Sequence, residues 1–193
     1  MRIALFDAKP YDRKYFSPDS ERYGYTIEYK EPSLSKDTAI LARGCDVVCP
    51  FVDCTVDRDT IDILKTEGVK LIAMRSAGFN NVDYRYALEN GIPVVRVPAY
   101  SPYAVAEHSF ALLLALVRKL THAYVRTREF NFSLTGLVGS DLHGKIIGIA
   151  GAGKIGRVAI NIAKGFGMRI LVYDPFAEDI EGSIAHANML GKI

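Results

Sequence analysis

The chain has 193 residues, 49% of them hydrophobic and 24% charged, with a formal net charge of +2. That is the composition of an ordered globular protein of one or two domains, which argues against a disordered chain, and the near-balanced charge argues against a nucleic-acid partner. No uncharged apolar run reaches the ~18 residues a bilayer-spanning helix requires, so no membrane partner is expected.

The opening MRIALFDAKP is interrupted by Asp7 and Pro10 too early for a secretory signal. Arg2 to Asp7 reads instead as a first parallel strand buried on both faces. A polar, tyrosine-rich segment follows, then Tyr25 to Glu31 alternates as a strand and Pro32 stops it. Ser35 to Ala42 suits a short helix capped by Ser35, and Asp46 to Phe51 a third strand. Cys45, Cys49 and Cys54 form an odd set without paired spacing, the first two in an apolar run. They read as buried free thiols and, with the other signals, favour a reducing cytoplasm.

Asp57 to Glu67 carries helical spacing with Gly68 at its end, and Lys70 to Arg75 is a fourth strand. The chain then passes through Ser76-Ala77-Gly78-Phe79 to a short helix, Tyr84 to Glu89, with Asn81 or Asp83 as its cap and Asn90-Gly91 at its end. Pro93 to Val97 is a fifth strand, followed by Tyr100 in a turn bounded by Pro98 and Pro102. Ala104 to Phe130 has no Gly or Pro and predicts one long helix. Its apolar residues cover more than one face, which calls for two packing neighbours or a partner subunit. Arg118, Lys119, Arg126 and Arg128 read as a solvated cationic face.

Lys145 to Ala150 is a branched apolar strand running into Gly151-Ala152-Gly153-Lys154-Ile155-Gly156 and a helix that stops at Gly165 to Gly167. Arg169 to Tyr173 is the next strand and ends on Asp174, while Phe176 to Ile193 contains no strand-like run. A glycine-rich turn alone is weak evidence, but strand, turn, helix, strand and terminal carboxylate together form a dinucleotide fingerprint. Gly151, Gly153 and Gly156 permit a tight turn, close phosphate approach and close packing, and helix N–H groups face the phosphates. Asp174 would accept from both adenosine-ribose hydroxyls and repel a 2′-phosphate, favouring NAD over NADP.

Other candidates carry less. Ser76 to Phe79 is equally a helix-capping turn and an N–H cradle for a small carboxylate. Tyr100 reads more readily as a packed surface aromatic, and His108 as a core histidine. His122, His143 and His186 have no carboxylate or cysteine at a ligand or dyad spacing, so no metal site is expected.

Three segments in order resemble D-lactate dehydrogenases of the D-isomer-specific 2-hydroxyacid dehydrogenase family: Met74 to Asp83, Val95 to His108, and Gly151 to Gly156 with Asp174-Pro175. Arg126-Thr127-Arg128, Asn131 to Leu134 and Gly136-Leu137 favour the lactate branch over phosphoglycerate, glycerate or formate dehydrogenases. The resemblance implies an α/β protein: a flavodoxin-like substrate domain (1–100), incomplete, and the first βαβ half of a Rossmann NAD-binding domain (101–193). It implies that backbone N–H groups of Ser76, Ala77, Gly78 and Phe79 hold the substrate carboxylate and that Tyr100 lies at the cleft. Gly151, Gly153, Lys154, Ile155 and Gly156 would take the pyrophosphate of NAD, and Asp174 the ribose. A small 2-ketoacid or 2-hydroxyacid is the implied substrate, with a homodimer through the NAD domain in the full-length form. The family's catalytic Arg, His and Glu have no counterpart here, so no catalytic residue is assigned, and the chain reads as a truncated N-terminal portion inactive alone. The alternatives are a non-catalytic NAD-binding or subunit-pairing module, or another D-2-hydroxyacid dehydrogenase.

Overall fold

The computed structural model describes residues 1–176 and the strand Ala187–Met189. Its internal contacts fall into two compact units, Met1–Tyr100 and Ser101–Ile193.

In the first unit β1 (Arg2–Leu5), β2 (Thr26–Tyr29), β3 (Val47–Cys49), β4 (Leu71–Ala73) and β5 (Val94–Val95) form a parallel sheet in the order β2-β1-β3-β4-β5. Parallel neighbours need crossovers, supplied here by α1 (Pro10–Tyr23), a 3-10 turn at Ala39–Ala42, α2 (Arg58–Thr66) and α3 (Tyr84–Glu89). The order reverses between β1 and β3, so the loops after those strands diverge and leave a crevice at the carboxyl edge. Alternate strand residues Ala4, Phe6, Val48, Ile72 and Met74 share one core with Ile61 and Leu64 of α2 and Ala87 of α3. On the other face Ile3, Leu5, Ile27, Val47, Cys49 and Ala73 line, with Phe16 and Tyr23 of α1, an apolar hollow of about 240 Å³.

The tyrosine-rich segment that shows no apolar period in sequence is the helix α1. Its signals lie at its ends: Pro10 in the first turn, Asp12 accepting the Lys9 N–H at 2.8 Å, and Gly24 left-handed at φ 69° as the stop. Asp57 caps α2 by accepting from the Thr60 N–H and hydroxyl, and Asp83 caps α3 by accepting from the Tyr86 N–H at 3.2 Å. Asn81 does not cap α3. Its Nδ2 donates to the Phe51 and Cys54 carbonyls at 3.0 and 2.9 Å, tying down the loop after β3. Cys45, Cys49 and Cys54 are buried and free, and burial pushes all three thiols up, away from the reactive thiolate.

The second unit contains α4 (Pro102–Val117), α5 (Leu120–Arg128), β6 (Ile146–Ala150), α6 (Lys154–Gly165), β7 (Arg169–Tyr173) and β8 (Ala187–Met189), with β6, β7 and β8 parallel in that order. Strand β8 corrects the sequence reading of the tail. It is three residues long with asparagine at its centre, so no apolar run announces it.

The single helix expected from Ala104 to Phe130 is two. Lys119 sits left-handed at φ 57°, the Val117 carbonyl accepts the Ser140 N–H at 3.0 Å, and Arg118 pairs with Asp141 at 2.9 Å. Tertiary contacts take the carbonyl that a continuous helix would use, so propensity is overridden without Gly or Pro. The cations expected on a plain solvated face are engaged too: Arg126 donates to the Ser133 and Thr135 carbonyls and Arg128 to the Tyr124 hydroxyl. Helix α4 packs on α6 through Phe110, whose ring stacks on Phe166 at 5.8 Å, above Ile160 and Ala163. Only Ala106 and Phe110 of α4 are buried, and Leu112 and Leu116 are 54% and 72% exposed. His108 is exposed rather than in a core, because it lies off the stripe that meets α6.

Replacing Lys119 by Gly relieves the left-handed strain while keeping the break and stabilises the chain by about 1 kcal/mol, read as a raised denaturant midpoint at unchanged slope.

Candidate functional site

Strand β6 delivers the chain to the glycine turn. Gly151 adopts φ 100°, a conformation closed to side-chain-bearing residues, and donates its N–H to the Tyr173 carbonyl at 2.7 Å. Gly156 packs so closely that a Cβ there would lie 1.9 Å from the Gly151 carbonyl oxygen. Gly153 precedes α6 in extended conformation, and a Cβ on it would meet nothing within 4 Å. The first N–H groups of α6, on Lys154, Ile155 and Gly156, have no intrahelical acceptor and point out of the helix end, which carries partial positive charge. Around them lies an open hollow of about 450 Å³ lined by Ile149, Gly151, Gly153, Lys154, Ile155 and Ala159 among others.

Asp174, at the end of β7, is bound into this turn: one oxygen accepts the Ala152 N–H at 2.6 Å and the other the Phe176 N–H at 2.9 Å. The carboxylate therefore sets the height of the glycine turn above the adjacent strand. Gly151, Gly153, Lys154, Ile155, Gly156 and Asp174 are thus brought together on one edge of a three-stranded sheet.

The second cluster lies at the carboxyl ends of β1, β3 and β4. Arg75, whose side chain is 8% exposed, donates to the Phe6 carbonyl (2.8 Å), the Asp7 carbonyl (2.8 Å) and the Cys49 carbonyl (3.1 Å). It also lies 3.5 Å from the Asp12 carboxylate and 4.4 Å from the Phe51 ring centroid. Asp7 is left-handed at φ 53°; its Oδ1 accepts from Lys9 at 2.7 Å and its Oδ2 is buried without a hydrogen-bond partner among the described residues. Sequence reasoning took Arg75 only as a strand end; a lone cation closing a buried apolar strand was the signal that it must be paired inside.

Ser76 to Phe79 leave the sheet from that anchor. Ser76 Oγ donates to the Gly78 carbonyl at 2.9 Å, its own carbonyl accepts the Val97 N–H, and Arg96 donates to the Ala77 carbonyl at 2.9 Å. Phe79 meets Tyr84 edge-on at 5.5 Å. The consecutive N–H groups of Ser76, Ala77, Gly78 and Phe79 donate to no acceptor among the described residues. The loop also leads toward α3, but the capping is done by Asp83, which leaves those N–H groups free for an anion. Tyr100 is 70% exposed, and its hydroxyl has no hydrogen-bond partner among the described residues. Among the same residues no group of three His, Cys, Asp or Glu could hold a metal, and no helix is long and apolar enough to cross a membrane. His186 lies outside the described residues.

A model of the D-isomer specific 2-hydroxyacid dehydrogenase catalytic domain matches residues 3–179. The chain belongs to that family. Within it, 2-hydroxyacid dehydrogenase homolog 1 of Schizosaccharomyces pombe is 54% identical over 175 residues, 90% of this chain and 53% of that protein. The apo structure of D-lactate dehydrogenase from Escherichia coli superposes with a TM-score of 0.87 at 44% identity, over 98% of this chain and 60% of that one. D-lactate dehydrogenase from Aquifex aeolicus, solved with NAD and lactic acid, superposes at 0.80 with 26% identity, over 98% and 56%. The chain spans about half the length of the curated relatives it matches. Its parallel sheet of the first unit is the fold of these 2-hydroxyacid dehydrogenases.

Two stability measurements test the site's architecture. Gly156→Ala forces the turn away from α6 and costs about 3 kcal/mol, whereas Gly153→Ala stays within about 0.5 kcal/mol of the parent by chemical denaturation. Arg75→Met strips the Phe6, Asp7 and Cys49 carbonyls of a donor and leaves Asp12 buried beside no cation, for a loss of about 3–5 kcal/mol in the same assay.

Proposed function

We propose that this chain is the portion of an NAD-dependent D-lactate dehydrogenase that holds the substrate carboxylate and the adenosine and pyrophosphate of the cofactor, and that alone it binds nucleotide without reducing pyruvate. The observation carrying this reading is the glycine turn fixed by the Ala152 N–H to Asp174 bond, with the α6 N-terminus open beside it. An anion fits there: donors converge, the helix dipole is favourable, and the residue nearest the approach, Gly153, carries no Cβ. Lys154, Ile155 and Gly156 would donate to the pyrophosphate. Asp174 would exchange part of its backbone bonding for the ribose hydroxyls and disfavour a 2′-phosphate.

When bound, the nicotinamide supplies the hydride that converts the ketone of a 2-ketoacid to a hydroxyl. The free N–H groups of Ser76 to Phe79 would orient the carboxylate, with Tyr100 at the mouth of the substrate cleft. A proton donor to the nascent alkoxide and a cationic clamp are also required, and none of the residues assigned here provides either. The exposed Leu112 and Leu116 on α4 supply the apolar surface of a homodimer through the second unit. A non-catalytic subunit-pairing module uses the same surface and is the second reading, favoured by those exposed leucines. Another 2-hydroxyacid substrate is the remaining alternative.

Titration calorimetry with ADP-ribose separates these. The parent chain binds it, Gly153→Ala and Asp174→Ala each weaken binding by about tenfold or more, and NADPH binds more weakly than NADH. No ADP-ribose binding sinks the cofactor reading, and pyruvate-dependent loss of NADH absorbance by the purified chain sinks the claim of inactivity.

A further inference from the structure

We propose that the hollow between α3 and the edge strand β5 is a binding site for an aliphatic monocarboxylate, separate from the nucleotide turn and from the N–H groups of Ser76 to Phe79. The hollow is about 360 Å³ and is lined by Phe79, Tyr84, Leu88, Pro93, Val94 and Arg96. A three-carbon ketoacid would leave most of that volume empty, so the occupant has a longer hydrocarbon body.

Arg96 supplies the charge. One terminal nitrogen, Nη1, is committed to the Ala77 carbonyl at 2.9 Å and reaches the Val97 carbonyl at 3.4 Å, while the guanidinium lies 5.1 Å from the Phe79 ring centroid. Its Nε and Nη2 have no acceptor among the described residues. Those two nitrogens form the side edge of the guanidinium, the fork that accepts both oxygens of a carboxylate at once. Because Nη1 is held by the Ala77 carbonyl and Cζ lies over the Phe79 ring at 5.1 Å, the guanidinium is restrained before any ligand arrives, which lowers the entropy cost of binding.

The walls supply the rest. Phe79 and Tyr84 meet at 82°, a fixed aromatic corner, and Leu88 is 65% exposed and Tyr84 41% exposed. An alkyl chain laid against them removes this apolar area from water. Among the described residues that line the hollow none is acidic, so its walls hold no carboxylate to compete for the fork. One cation over an apolar body selects a monocarboxylate over a diphosphate or a dicarboxylate. This site does not rest on the function proposed above: a chain that binds no nucleotide and no pyruvate can still bind here.

The test is titration of the isotope-labelled 193-residue chain with octanoate, followed by amide NMR, with octanamide and pyruvate as comparison ligands. Octanoate is expected to produce saturable shifts centred on Phe79, Tyr84 and Leu88, and octanamide to bind at least about tenfold more weakly for want of the charge-assisted fork. Arg96→Gln and Leu88→Glu each weaken octanoate by a similar factor, and Arg96→Lys recovers part of the loss. Leu88 is exposed, so its substitution leaves the fold intact and keeps the test valid where Arg96→Gln disturbs the Ala77 loop. The proposal is overturned by the absence of saturable shifts, by equal binding of octanamide, or by pyruvate moving the same signals with the same dependence on Arg96, which would make the hollow part of the ketoacid site.

Discussion

The first unit depends on how one buried guanidinium is satisfied. A parallel sheet ends at its carboxyl edge in carbonyls that have lost their ladder partners, and where the strand order reverses those carbonyls face a crevice. Arg75 fills it, bridging the ends of β1 and β3 while neutralised by Asp12 from α1 and covered by Phe51. The charge would be prohibitive there without those partners, and the carbonyls would be costly without the charge. Since Ser76 follows directly, the same interaction fixes where the chain leaves the sheet and so aims the free N–H groups of the loop. Asn81 acts in the same way on the far side, holding the loop after β3 through Phe51 and Cys54.

The second unit has a simpler equivalent. Asp174 reaches from β7 to the Ala152 N–H on the neighbouring strand's turn, so one carboxylate sets the geometry of the whole glycine segment. Its oxygens cap the turn by accepting the Ala152 and Phe176 N–H groups, and the role proposed for it toward ribose is an exchange of partners for the same oxygens. Under that proposal the side chain that shapes the turn would also grip the ligand, coupling loop order to occupancy.

Much of this was legible in the residues. The parallel strands of the first unit, α2, α3 and the β6 to β7 crossover announce themselves by apolar runs, caps and glycine stops at positions such as Asp57, Asp83, Gly68 and Gly165. Local signals failed where tertiary contacts decide. Helix α1 buries little beyond Asp12 and so lacks an apolar stripe, the α4 to α5 break is imposed by Ser140 and Asp141 from a distant loop, and β8 is too short to print a pattern. His108 illustrates the same limit: an apolar neighbourhood in sequence says nothing about azimuth on a helix, and His108 lies off the stripe that packs on α6. The glycine turn could be read because its chemistry is concentrated in consecutive residues. The partners of Arg75 and Arg96 could not, because they lie on other strands and loops, although a cation closing an apolar strand marks Arg75 as paired somewhere inside.

The division of the chain at Tyr100 has a kinetic consequence. Among the described residues every strand pairing of the first unit lies within Met1–Tyr100 and every pairing of the second within Ser101–Ile193, so neither of these sheets waits for a residue from the other. During synthesis the five described strands of the first sheet are all made before the glycine turn, and that sheet can pair while the second is still being synthesised. The apolar hollow between that sheet and α1 is therefore open to chaperones and proteases before the glycine turn exists.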